Sequence, residues 1–333
     1  MAHEVRPMPL RAEGPAPTAF RRLAVCLDGS ELGERVLPHA LAVARAFGAP
    51  VTLLRVLEAQ TSGGPPSDPL EWELRRKEAG GYLARLAGGR ATVESEVIEG
   101  APAEQICLWA ACHEADLTVL SSHGAGGQSE CRLAGTASEL IERVPGSLLL
   151  VPAAAAASDG IARYQRILVP LDGSARAESV IPLATRLAAD AEAELVFAHV
   201  VPVPELIELG ALEAEDLELR DRLVRRNERV ANQYLDRVRA RLAESGIPVR
   251  ATVLCGGDVR GRLVRLIADQ TIDLVVLSAH GQTGRADVHC GSVAAHLLSH
   301  SRSPLLIVRP ARSQRQPHSV EGAGCRLPHQ ASV

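Results

Sequence analysis

The chain alternates short apolar runs with longer amphipathic stretches, and it runs through that pattern twice. Arg22 to Leu27 is apolar but too short for a helix, and Asp28-Gly29-Ser30 follows it. That combination predicts a buried strand, then a turn with helix-capping chemistry. Over residues 31–47 the apolar positions return at helical spacing, with Leu37, Leu41 and Ala44 on one face. Pro38 lies early in this stretch, where a helix tolerates proline best. A second strand is predicted at Val51–Leu57, a Gly- and Pro-rich loop at Thr61–Pro69, a charged helix at Glu71–Leu86 and a third strand at Thr92–Ile98. Gly100-Ala101-Pro102 opens a helix to about Glu114. A fourth strand at Leu117–Leu120, a glycine loop, a helix at Ser138–Arg143 and a fifth strand at Leu148–Val151 complete the first pass.

The pattern then restarts. Asp28, Gly29, Ser30 and Pro38 recur as Asp172, Gly173, Ser174 and Pro182, 144 positions on, whereas Gly124 recurs as Gly281, 157 positions on. The extra residues fall in the long charged helical region Glu205–Glu244, one helix or two. A repeat of this length is a duplicated domain, not a solenoid unit. Alternating strands and helices imply a parallel sheet covered on both faces. The expected fold is therefore α/β: two tandem copies of a five-stranded parallel open sheet flanked by helices. The expected boundaries are a disordered Pro-rich tail at 1–20, a first domain at 21–152, an Ala-rich linker at 153–162, a second domain at 163–311 and a flexible tail at 312–333.

Composition narrows the function classes. Hydrophobic residues make up 46% and charged residues 23% of 333, so each half can bury a core. The formal net charge of −4 gives no electrostatic footprint for nucleic acid. No apolar run reaches the ~18–20 residues that cross a bilayer, and the N-terminus lacks a signal-peptide core, so the expectation is a cytoplasmic protein. Seven cysteines with no C-x-x-C pair read as reduced thiols, and the Cys107, Cys112, His113 group lacks structural-zinc spacing.

Candidate chemistry concentrates in Ser278–Pro310. An apolar run, Leu274–Leu277, leads into Gly281 and Gly284, then Gly291-Ser292, then a helical pattern from Val293 to His300 and the apolar run Leu305–Val308. This is strand, glycine loop, helix N-terminus, helix, strand. Glycines admit close backbone approach, and a Gly-Ser pair opening a helix offers N–H groups, a hydroxyl and the positive dipole end, which suits phosphate. Gly124, Gly127, Gly135 and Thr136 form the first-half counterpart. Asp172 follows strand one and Gly281 follows strand four, where open α/β sheets bind ligands. Capping of the helix near Ser174 is the other reading of Asp172. His280 and His123 each sit before a glycine at a strand end and read as structural histidines, not catalysts.

With these residues in place the chain resembles the universal stress protein family in its tandem form. The match rests on Pro170-Leu-Asp172-Gly-Ser174, the His199-Val200 strand end, the HG-x-x-G…G-S-V-A element and the closing apolar strand before Pro310. The resemblance implies ATP as ligand, often with Mg²⁺ or Mn²⁺. It assigns Asp172 to the adenine, the Val200 backbone to its pocket, Pro170 and Gly281 to the ribose, and Gly284, Gly291, Ser292 and Val293 to the phosphates. The corresponding first-half set is Asp28, Val56, Gly124, Gly127, Gly135 and Thr136. That half departs from the pattern: Cys26 replaces the proline, Arg55 replaces His199, and Gly135-Thr136 stands one residue late, with Ala134 in the place of Gly291. Nucleotide is therefore expected first in the second half, and the first-half set stays open as a second site.

The leading expectation is a nucleotide-binding stress-response or regulatory module that is not an enzyme, with a protein partner the sequence does not identify. A slow ATPase or ATP-dependent enzyme of related fold, a flavin carrier and a nucleotide-free interaction protein stay open at this point. The two final strands are short and wholly apolar, and the resemblance puts such a strand at a dimer edge. They are expected to pair within one chain as a pseudo-dimer, with a homodimer of chains also compatible.

Overall fold

A computed structural model describes residues 17–58, 68–123, 135–155, 160–204, 214–281 and 290–310. The first half runs β1 (Leu23–Cys26), α1 (Glu31–Glu34), α2 (Val36–Phe47), β2 (Val51–Leu57), α3 (Pro69–Ala87), β3 (Val93–Glu99), α4 (Pro102–Cys112), β4 (Leu117–Ser121), α5 (Gly135–Arg143) and β5 (Ser147–Val151). The second runs β6 (Arg166–Pro170), α6 (Ala175–Glu178), α7 (Ile181–Ala191), β7 (Glu194–Val201), α8 (Ala214–Ala240), β8 (Val249–Cys255), α9 (Val259–Asp269), β9 (Leu274–Ser278), α10 (Ser292–His300) and β10 (Leu305–Val308).

The halves share one ten-stranded sheet in the order β3-β2-β1-β4-β5-β10-β9-β6-β7-β8. Within each half every pairing is parallel. The joint is antiparallel, with Leu305, Leu306 and Ile307 of β10 opposite Leu150, Leu149 and Leu148 of β5. The expected pseudo-dimer is thus one mixed sheet. Every residue of β5 and β10 is buried, because helices cover both faces and the ladder covers both edges. Within each half the strand order reverses between the first and fourth strands, β1/β4 and β6/β9, which opens a crevice at their C-terminal ends.

Two local expectations need correction. The single helix read over residues 31–47 is interrupted at Arg35, giving α1 and α2, and α6 and α7 are split alike. Pro38 and Pro182 are the cause: each ring crowds the carbonyl four residues earlier, at Glu34 and Glu178, the last residues of α1 and α6. The described part of the Glu205–Glu244 region is one long helix, α8, with a short 3₁₀ turn at Ala243–Ser245. Phe20, inside the segment expected to lack structure, is buried edge-on against Phe47, with ring centroids 5.1 Å apart. Residues 1–16 and 311–333 of the tails and residues 156–159 of the linker lie outside the described residues.

The linker's flanks are tied to the first half. Arg35 donates to the Ala153 carbonyl at 2.6 Å, the Ala162 N–H donates to the Pro38 carbonyl at 3.0 Å, and the Tyr164 hydroxyl meets His39 Nδ1 at 3.1 Å in a buried contact. Polar bonds flank the joint as well. Arg186 donates to the Ala46 carbonyl at 2.7 Å with its guanidinium over Phe47, and Arg45 pairs with Asp190 at 2.8 Å. Arg309 reaches across to the Val144 and Ile141 carbonyls at the end of α5. Among the described residues no helix is long and apolar enough to cross a membrane.

Candidate functional site

At the end of β6, the Leu171 N–H bonds the Ala198 carbonyl at 2.8 Å, which carries the chain out to Asp172 beside β7. Gly173 takes φ +84°, a conformation that favours glycine, and turns the chain into α6. Ser174 caps that helix, accepting from the Ala177 N–H at 3.1 Å. The alternative reading of Asp172 as the helix cap is thereby corrected: a serine hydroxyl already fills the role. Asp172 Oδ1 accepts the Ser174 N–H at 2.9 Å and holds the turn. Its other oxygen lies against Gly281, where an added Cβ would come within 2.3 Å. Glycine at 281 is what allows a carboxylate from the first strand of this half to meet the end of the fourth.

His199 Nδ1 lies 2.8 Å from the Leu171 carbonyl and ties β7 to the same turn. Val200, one residue on, is 8% exposed and lines the crevice.

On the opposite wall, Gly291 is extended (φ −67°, ψ 161°) and precedes α10 without a side-chain cap. Its own N–H is spent on the Ala279 carbonyl at 2.7 Å, and an added Cβ would sit 3.3 Å from that oxygen. Gly291 therefore docks the start of α10 on the strand end. The amides that a helix start leaves without intrahelical acceptors are those of Ser292, Val293 and Ala294. The Ala295 N–H donates to the Gly291 carbonyl at 2.9 Å and opens the helical ladder.

Between these walls lies a cavity of about 850 Å³. It brings together Pro170, Asp172, Val200, Gly281, Gly291, Ser292 and Val293, all the expected second-half residues except Gly284, which lies outside the described residues. The volume falls in the range typical of small-molecule and cofactor sites. Sequence reasoning missed a third wall, Asp258, Val259 and Arg260 at the start of α9. A signal was present: Gly256-Gly257-Asp258 repeats the logic of a glycine turn before a capping acid, and Asp258 caps α9 by accepting the Gly261 N–H at 3.1 Å. That hydrogen bond is the main cause holding the Asp258 carboxyl below its ordinary range. Cys290 also lines the cavity, but burial pushes its thiol up to about 11, so it is protonated and a poor nucleophile at neutral pH. Among the described residues no group of three His, Cys, Asp or Glu side chains could hold a metal ion.

The first half is built differently at the same places. α5 and α10, like β4 and β9, stand 157 positions apart, so Gly135 occupies the place of Ser292 and Thr136 that of Val293. The hydroxyl at the first helical position is missing there, and Gly135 and Thr136 are exposed. Asp28 Oδ1 accepts both the Ser30 N–H at 2.9 Å and the Ser30 hydroxyl at 2.6 Å. Arg55 lies over the turn, where a Cβ on Gly29 would come 2.8 Å from its guanidinium, and it stacks on Tyr82 at 5.1 Å. Val56 is half-buried on β2, and Gly124 and Gly127 lie outside the described residues.

Comparison with known proteins gives one consistent answer. Residues 19–152 and 163–309 each match the family described as the universal stress protein family. Universal stress protein Rv2005c of Mycobacterium tuberculosis is 26% identical over 314 residues, spanning 88% of this chain and 98% of that protein. Universal stress protein MJ0577 of Methanocaldococcus jannaschii is 22% identical over 159 residues, 45% of this chain and 98% of that protein. Among solved structures, a universal stress protein from Archaeoglobus fulgidus superposes with a TM-score of 0.60 at 15% identity, covering 89% of this chain and 99% of that one, which speaks to fold.

Proposed function

We infer that this chain, which belongs to the universal stress protein family as a tandem two-copy member, binds an adenine nucleotide, ATP, in its second half and serves as a nucleotide-linked stress-response or regulatory module. The observation that carries the reading is the pairing of opposite chemistries across one cavity: the Asp172 turn on one wall and the uncapped start of α10 on the other. A carboxylate accepts hydrogen bonds and so suits the amino group of an adenine. Val200, nearly buried beside it, gives that end an apolar wall. The Ser292, Val293 and Ala294 amides, with the positive end of the α10 dipole, suit the phosphates. A divalent ion would be held chiefly by phosphate oxygens, since the described residues offer no cluster for it.

The reading is of a binding module, because burial keeps the cavity thiol of Cys290 protonated and what faces the cavity is an acceptor carboxylate and helix-start amides, groups suited to holding a ligand. The first half, with Gly135 for Ser292 and Arg55 across its turn, is the weaker site or no site. Mass spectrometry of the small molecules released from purified, heat-denatured protein tests the ligand, and calorimetry on the full chain tests the count. The expected result is an adenine nucleotide and fewer than two equivalents of ATP at moderate concentration. Release of no adenine nucleotide, together with no heat of ATP binding at millimolar concentration, would overturn the reading. Two equal sites would overturn the asymmetry.

A further inference from the structure

We propose that Arg260 determines the phosphate preference of the second-half site, making the cavity discriminate nucleoside triphosphates from nucleosides. This rests on the nucleotide reading above and adds a residue to it.

Arg260 stands in the first turn of α9 and lines the same cavity as Ser292 and Gly291. The cavity therefore meets the N-terminal ends of two helices, α9 and α10. Asp258 orients the guanidinium: Arg260 Nε donates to both its oxygens, at 3.2 and 3.3 Å. Asp258 is itself fixed by the Gly261 N–H. That arrangement engages only Nε. Among the described residues neither terminal nitrogen of Arg260 makes a hydrogen bond, so the edge of the fork that matches a phosphate bidentately is left available.

The ion pair with Asp258 has little structural purpose. Both side chains are about half exposed, 48% and 56%, and pairs of that kind contribute little to stability. The titratable neighbour on the facing helix, His296, has its pKa lowered by burial first and then by His300 and Arg260, against a smaller opposing effect of Asp258, which favours its neutral form.

The duplication supplies an internal comparison. α4 and α9 stand 157 positions apart, so the first half has Ala101 for Asp258 and Ala103 for Arg260, while Glu139 on α5 takes the place of His296 on α10. Ala101 makes no side-chain cap bond, and Ala103 is buried. Acid, arginine and histidine have all been replaced together at the mouth of the half whose helix start also lacks the hydroxyl. The first half builds the matching helix, α4, with Ala103 in that place, so the helix itself does not require an arginine there.

The test is calorimetry on the full chain with ATP, ADP, AMP and adenosine as probes, comparing wild type with Arg260→Gln and Arg260→Lys. Loss of one charged, bidentate contact predicts that Arg260→Gln weakens ATP by about 10- to 100-fold while adenosine stays within about twofold. Arg260→Lys should restore part of the loss. If wild type binds ATP and Arg260→Gln keeps the same ATP-to-adenosine ratio, Arg260 has no such role and the nucleotide reading stands. Equal weakening of ATP and adenosine also overturns the proposal, since that is the mark of a distorted pocket. If none of the four probes binds wild type, both readings fall.

Discussion

Gly281 is the residue on which the two ends of the crevice depend. An added Cβ would lie 2.3 Å from Asp172 Oδ2, so Gly281→Ala must push that carboxylate aside. The neighbour is the end of a side chain and not backbone, so the fold should lose less than about 1 kcal/mol. The ligand should lose a charge-assisted hydrogen bond, about 1.5–3 kcal/mol, or about 10- to 100-fold. Adenosine and ATP should weaken together, unlike the split expected for Arg260→Gln, and calorimetry with both ligands separates the two cases. Gly291 is a poorer place to test the site, because its Cβ would press on the Ala279 carbonyl and disturb β9 itself. Asp172 and Gly281 were legible in the sequence because a strand, a glycine turn and a cap are local signals. Arg260 was not, because its approach to α10 depends on how β8 and α9 are laid against the next strand. The use of the Gly291 N–H was hidden for the same reason: its acceptor, Ala279, is 12 positions away and meets it only in the folded chain.

Among the elements, β10 carries the most. It has β9 on one side and β5 on the other, and all four of its residues are buried. Leu306→Pro removes a ladder donor from a strand with neighbours on both edges and leaves a buried acceptor unpaired, which should cost about 1–3 kcal/mol before any steric clash of the ring. Separation of the halves is the expected consequence, seen as a larger scattering radius and faster proteolysis between residues 153 and 159. A variant as compact and as resistant as wild type would show that the β5–β10 ladder does not hold them. The strand pairing was readable in advance, since two short, wholly apolar strands at the ends of duplicated units need partners. The bonds beside it were not. Arg309 satisfying the last carbonyls of α5 joins residues more than 160 positions apart, and nothing local to either segment announces the contact.

At the scale of the molecule, His39 makes the joining of the halves sensitive to acid. It is buried, in contact with Tyr164, and burial lowers its pKa from 6.5 to about 4, against a smaller opposing effect of Asp273. The folded protein keeps His39 neutral while the unfolded chain takes up a proton below about pH 6.5. Stability is therefore full above that value and is lost as pH falls toward about 4, by about 3 kcal/mol in all. His39→Gln, which can still bond the Tyr164 hydroxyl, should flatten this part of the profile. Urea midpoints at pH 7 and pH 4.5 for wild type and variant give the comparison, and equal slopes would rule His39 out as the cause.

The antiparallel joint has one more consequence. A chain that paired with an identical copy across such a ladder would carry every substitution on both sides of the interface and in both crevices. Here the covalent connection fixes who meets whom: β10 finds β5 and the two sides are encoded separately. Each can drift without dragging the other along. Ala103 beside Arg260, Glu139 beside His296 and Gly135 beside Ser292 are the kind of divergence such an arrangement permits. The chain is in effect a heterodimer with its subunit ratio written into one reading frame, in which one side is at liberty to keep a ligand while the other becomes scaffold.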